Sequence, residues 1–242
     1  MWEISLIIQT KYKKYLMVLE EKLKIEFGEN KIQSAFYDSK DNSILSIAID
    51  NPTYKFKKTL KKLIAEIILI TEKEEIIMNN IKSPTSEQTS NSVFIKTLVL
   101  FDFEEEKREI ENLLELSKKI DLHAFFNFRL SKLKNKWFEL VNLANRDDSI
   151  ISNAEVLLEV LVESIAPSGR IIIVKYDKRF EFYDENGDRC KDTFLTKKIT
   201  DEAELITNLI LLSPKKIKLM CKDKLTKESL NLINYIFSNK LI

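Results

Sequence analysis

Apolar and polar positions along the chain change period several times, and each change marks an element. Ile4, Leu6, Ile7 and Ile8 form a short β-branched run, which predicts a buried strand over 2–9. Tyr15, Leu16, Leu19, Leu23 and Phe27 then recur at helical spacing, so a helix is expected over 11–27, with Gly28 as its stop. Two further strands, near 31–37 and 43–49, flank the polar turn Asp38-Ser39-Lys40-Asp41-Asn42. Asn51-Pro52 ends the second of them and opens a long helix over 53–82. Its seam of Phe56, Leu60, Leu63, Ile67, Ile70, Glu74, Ile77 and Ile81 keeps a heptad rhythm broken only at Glu74. Such a seam either packs within its own chain or serves as an interface with a partner or a second copy.

Residues 83–92 are polar, carry Pro84 and have no apolar anchor, so they read as a linker. Helices are predicted beyond it at 93–119, 121–145 and 150–165, with Asp121 capping the second. After Pro167-Ser168-Gly169 the period drops to two. Arg170–Tyr176, Arg179–Tyr183 and Arg189–Phe194 suggest a meander, with Asn186-Gly187 in a tight turn. Asp201 and Glu204 resemble a capping box before a helix over 202–212; a strand at 216–221 and a last helix at 227–238 follow. The expected fold is α+β: an N-terminal β-α-β-β-α segment (1–82), the linker (83–92), a helical middle (93–168), and a C-terminal β-meander with an α-β-α tail (169–242).

Composition narrows the chemistry more than it identifies it. The three glycines are scattered and cannot form a phosphate-cradling loop, and one histidine with two distant cysteines makes no zinc spacing. No metal and no cofactor is therefore expected. The net charge is +1, and only six of the 39 basic residues are arginine, the better fork for phosphate and base edges. That balance argues against nucleic acid as a partner. No apolar run reaches membrane-spanning length, so no membrane association is expected. Cys190 and Cys221, lacking metal spacing, suit a reducing compartment, and the cytoplasm is the expected location.

His123 is the only histidine, so any mechanism using an imidazole must use it. Its place in the first turn of a helix reads as a boundary position. The acidic clusters Glu104-Glu105-Glu106 and Asp147-Asp148 read as solvated faces, and no catalytic residue is assigned. The one ligand-binding candidate is Arg129. It falls on the apolar stripe Leu122, Phe126, Leu133, Trp137, Leu140 and Ala144, where a guanidinium needs partners. Glu155, Glu159 and Glu163, on one face of the next predicted helix, are the expected acids. Arg129 is then either half of a buried ion pair or a clamp for a ligand anion.

Phe126-Asn127-Phe128-Arg129-Leu130 resembles the F-x-x-F-R-L signature of the YtxC-like family of sporulation proteins when Phe125 is taken as its first phenylalanine. In order after it come Phe182-Tyr183-Asp184-Glu185 and Ser213-Pro214-Lys215-Lys216-Ile217, which match later segments of that family. The resemblance covers roughly 92–242. It implies a cytoplasmic, sporulation-associated protein and carries over no catalytic residues. The resulting expectation is a non-enzymatic binding or assembly protein, with protein–protein interaction or self-association through the 53–82 helix. The alternative is an enzyme, or a binder of a small anionic ligand, that uses the neighbourhood of Arg129.

Overall fold

A computed structural model of the chain describes residues 1–82, 88–146, 158–159, 162, 168–190, 199 and 201–242. The fold is α+β. The chain divides into two compact units, each discontinuous in sequence: Met1–Asn79 with Asp102–Glu139, and Asn80–Phe101 with Leu140–Ile242. The helical middle expected over 93–168 is therefore not a body of its own, because its residues are shared between the two units.

In the first unit, β1 (Trp2–Gln9), β2 (Ile32–Asp38), β3 (Asn42–Ile49) and β4 (Lys119–Asp121) form a sheet in the order β2-β3-β1-β4. β1 pairs antiparallel with β3, Leu6 opposite Leu45, and parallel with β4, Leu6 beside Ile120. Alternation sends Ile4, Leu6 and Ile8 of β1, and Leu45 and Ile47 of β3, to a buried face. Helix α1 (Lys13–Phe27) packs on β1, β2 and α2 (Tyr54–Ile68). Its Leu16, Leu19 and Leu23 are fully buried, each contributing roughly 1.5–3 kcal/mol of hydrophobic stabilisation. Gly28 follows α1 at φ 101, a backbone conformation that side chains rarely adopt. Thr53 caps α2, its hydroxyl accepting from the Phe56 amide.

The helix expected over 53–82 is one run of chain with a defect inside it. After α2, a π-turn spans Leu69–Lys73, and α3 (Glu74–Asn80) resumes α geometry. The wider turn shifts the helical phase, so Thr71, Glu72 and Lys73 turn inward and are buried. Phe56, Leu60, Leu63, Ile67, Ile70 and Ile77 of the seam are buried as well, so the chain itself covers the face that could have offered an interface.

The remaining expected helices are also interrupted. Residues 83–87 of the predicted linker lie outside the described residues, but 88–92 are helical. They begin α4 (Gln88–Leu100), where Ser90 is buried and its amide donates to Glu228 Oε1 at 2.9 Å. Asp102 has φ 57 and breaks the 93–119 prediction into α4 and α5 (Phe103–Leu113). The predicted 121–145 helix breaks at Leu130 into α6 (Leu122–Arg129) and α7 (Ser131–Arg146).

The second unit holds β5 (Ile171–Tyr176), β6 (Phe180–Tyr183) and β7 (Lys216–Leu219) in the order β6-β5-β7. β5 and β6 form the first hairpin of the expected meander, and Arg189 bridges back to Tyr183. Residues 191–198, where the third meander strand was expected, lie outside the described residues. β5 also has a parallel partner, β7, which periodicity did not foresee. Helices α8 (Glu202–Leu212) and α9 (Lys227–Ile236) join α4 in covering the core of Ile172, Val174, Phe182, Leu209, Ile217 and Phe237.

Candidate functional site

The parallel pair β1 and β4 ends at Gln9 and Asp121, and both carboxyl ends open towards one concavity of about 820 Å³. Ligands in sheets with parallel strands commonly sit at such carboxyl ends. Thr10, Lys11, Asn42, His123, Asn127 and Phe128 are among its lining residues. Local sequence explains their placement. Asp121 Oδ1 accepts the Ala124 amide at 2.9 Å, which caps α6 and fixes His123 in its first turn. Asn127 lies one turn further on the same face of the helix.

His123 is held from both sides. Nδ1 lies 3.0 Å and 3.2 Å from the two carboxylate oxygens of Glu72. Nε2 lies 3.0 Å from Asn127 Nδ2, which also reaches the His123 carbonyl oxygen at 3.0 Å. Lys134 Nζ donates to Asn127 Oδ1 at 3.1 Å. The Glu72 side chain is 6% exposed and the His123 side chain 47% exposed. Burial pushes the Glu72 carboxyl above the ordinary carboxylate range, and His123 pulls it partly back. This is an oriented carboxylate–imidazole pair with its outer edge towards solvent.

A second acid of the same helical run extends the cluster. Tyr12 donates its hydroxyl to Glu75 Oε2 at 3.1 Å, and Lys11 Nζ pairs with Glu75 Oε1 at 3.1 Å. Burial, then Glu75, pushes the Tyr12 phenol well above its usual range. Perturbed titratable groups gathered beside a concavity mark a functional-site candidate. The π-turn that presents Glu72 points the same way, since such defects are frequent at functional sites.

Behind the site lies a drier network. Lys73 Nζ is 2.7 Å from Glu106 Oε2, with both side chains at most 2% exposed. Lys136 bridges Glu106 Oε1 at 3.4 Å and Asp102 at 2.9 Å. This network fastens α5 and α7 to the π-turn.

Arg129, the residue singled out from sequence, is exposed and not buried on a stripe. α6 ends there, with Leu130 as its C-cap, and the side chain at the helix's last position faces out while Leu130 itself is buried. Arg129 makes no ion pair among the described residues. Glu155 and Glu163 lie outside those residues, and Glu159 is half-buried. Leu122, Phe126, Leu133 and Trp137 are buried as expected, with Phe126 stacked on Trp137 at 5.4 Å. His123 is a boundary residue by exposure, but its partners Glu72 and Asn127 were not read from the sequence. The break in the heptad seam at Glu74 was the available signal that carboxylates intrude there.

Among the described residues no group of three or more His, Cys, Asp or Glu side chains is placed to hold a metal ion. Among the same residues no helix is long and apolar enough to cross a membrane. No family model, no curated protein and no solved structure matches this chain. The resemblance to the YtxC-like family rests on its three short motifs alone.

Proposed function

We propose that this chain is a non-enzymatic binding protein whose ligand site is the concavity at the carboxyl ends of β1 and β4. The observation that carries this reading is the fixed His123, held between the buried Glu72 and Asn127 with its edge towards the opening. Orienting a lone imidazole with a buried acid costs desolvation that a purely structural surface residue has no need to incur. The lining mixes donors, acceptors, both signs of charge and the exposed ring of Phe128. It suits a small polar ligand or a short polar segment of a partner protein.

The test uses the single histidine as a reporter. The intact chain is screened against a library of small polar fragments by saturation-transfer NMR, and the binders are titrated against the His123 ring signals. Binding that shifts those signals and is lost in His123→Ala is expected. Fragments that bind equally well to His123→Ala would overturn the site assignment.

A second reading is an enzyme or a binder of a small anion that uses the Arg129 neighbourhood. It is favoured by one observation: Arg129 is exposed at the end of α6, the helix that also carries His123 and Asn127. Fragment binding that depends on Arg129 and is confined to carboxylates and phosphates would select it. Association with sporulation is proposed from the motif resemblance in residues 92–242. A cytoplasmic location is proposed from Cys190 and Cys221, whose spacing in the sequence suits no metal site and which are both buried.

A further inference from the structure

The geometry points to a proton-operated latch at this site, in which a second proton on His123 releases Asn127 from the rim of the concavity. The amide orientation of Asn127 is fixed by three contacts. Its Nδ2 faces the His123 carbonyl oxygen and Nε2, and its Oδ1 faces the Lys134 ammonium. Turning the amide over would set oxygen against oxygen at the carbonyl and NH₂ against ammonium at Lys134. Asn127 is therefore the donor to Nε2, and Nε2 carries no proton.

Nδ1 must then carry the ring proton and donate it to Glu72. All four groups are satisfied while the imidazole is neutral. A second proton on Nε2 would place one donor against another, and turning the Asn127 amide over to accept from it would set Nδ2 against the Lys134 ammonium. The imidazolium is itself supported by Glu72 on the π-turn and, further off, by Glu75 of α3 and Asp121 at the end of β4. Lys11 opposes it from the turn after β1, beside the Tyr12 phenol, and Lys134 opposes it from α7. Lys40 and Asp41 of the β2–β3 turn, which share the concavity, offset one another. The cost of a second proton on the ring falls on the Asn127 contact.

The consequence is local. Asn127 and Phe128 line the same opening, so releasing Asn127 removes one of the two links between α6 and the Lys134 ammonium, which also lies 5.5 Å over the Phe126 ring, and reshapes the rim. The latch goes beyond the binding reading and is tested without any ligand, so the failure of one does not entail the failure of the other.

The experiment is a pH titration of the ¹⁵N-labelled full chain, following the His123 ring nitrogens and the Asn127 side-chain amide. At neutral pH the Nδ1–H tautomer is expected, although unconstrained histidine favours Nε2–H. On acidification the Asn127 amide signals should move with the same midpoint as the ring. Asn127→Ala removes the bond that holds the neutral form and should raise the midpoint by about half a pH unit or more, the size of one lost hydrogen bond. Asn127→Asp supplies an acceptor in its place and should raise it further. An Nε2–H tautomer at neutral pH would overturn the latch. So would an unmoved or lowered midpoint in both variants, or Asn127 signals indifferent to the ring.

Discussion

Lys73 Nζ and Glu106 Oε2 lie 2.7 Å apart with neither side chain more than 2% exposed. The pair joins the π-turn to α5, and the two residues are 33 positions apart in sequence. Burial drives the Lys73 ammonium below its ordinary range, and Glu106 counters only part of that effect. Removing one partner therefore strands a charge. Glu106→Leu alone is expected to cost roughly 3–5 kcal/mol in urea unfolding. Adding Lys73→Met should recover most of that loss, because the stranded ammonium goes and apolar packing replaces it. Lys136 loses a contact in either background, so the recovery is incomplete. A double variant no more stable than Glu106→Leu would show that the pair is not the dominant link.

Ser90 and Glu228 make the second testable link. The Ser90 amide lies in the first turn of α4, where a helix has no internal acceptor to offer, and Glu228 of α9 accepts it at 2.9 Å. A carboxylate there also meets the positive end of the helix dipole. Glu228→Ala should destabilise the second unit by about 1–2 kcal/mol. Glu228→Gln should lose less, because the amide oxygen can still accept. Limited proteolysis then tests residues 88–92, which should resist cleavage in the native chain and become more susceptible in Glu228→Ala. Early cleavage between 88 and 92 of the native chain would contradict the anchoring.

The N-terminal elements were legible because their signals are local. Period-two runs, the Asp38–Asn42 turn, Gly28 and the α2 stripe each determine their own neighbourhood. The interruptions were not, and each has a physical reason. Asp102 supplies a left-handed break that asparagine or glycine would have advertised better. β4 is three residues long and exists because it finds the open edge of β1, a non-local fact. The π-turn comes with no special residue; only Glu74 in an otherwise apolar seam hints at it. His123 was visible as the lone imidazole, but Glu72 reaches it from 51 positions away, and no spacing rule connects the two.

Arg129→Ala separates the observed exposure from the buried ion pair expected from sequence. Its side chain is exposed and leaves no described carboxylate stranded when removed. Arg129→Ala should change the unfolding free energy by no more than about 0.5 kcal/mol, as surface substitutions do. A loss of several kcal/mol would restore the buried-pair reading. A loss of ligand binding at unchanged stability would support the anionic-ligand alternative.

Glu66 supplies a pH-dependent test in the first unit. Its side chain is 14% exposed and lies 3.7 Å from Lys107 Nζ. Burial pushes its carboxyl above the ordinary range, and Lys22, Lys107 and Lys62 pull it back only in part. The folded chain therefore holds this proton more tightly than the unfolded chain does. Its contribution to stability falls as pH rises from the unfolded value, about 4.3, through the higher folded value. Glu66→Gln removes that linkage. The difference in unfolding free energy, variant minus wild type, should climb with pH across this window and then level off. Urea titrations of both proteins at half-unit steps between pH 4 and pH 7.5 would measure the slope. A difference that is flat or falls with pH would mean that Lys22 and Lys107 outweigh burial at Glu66.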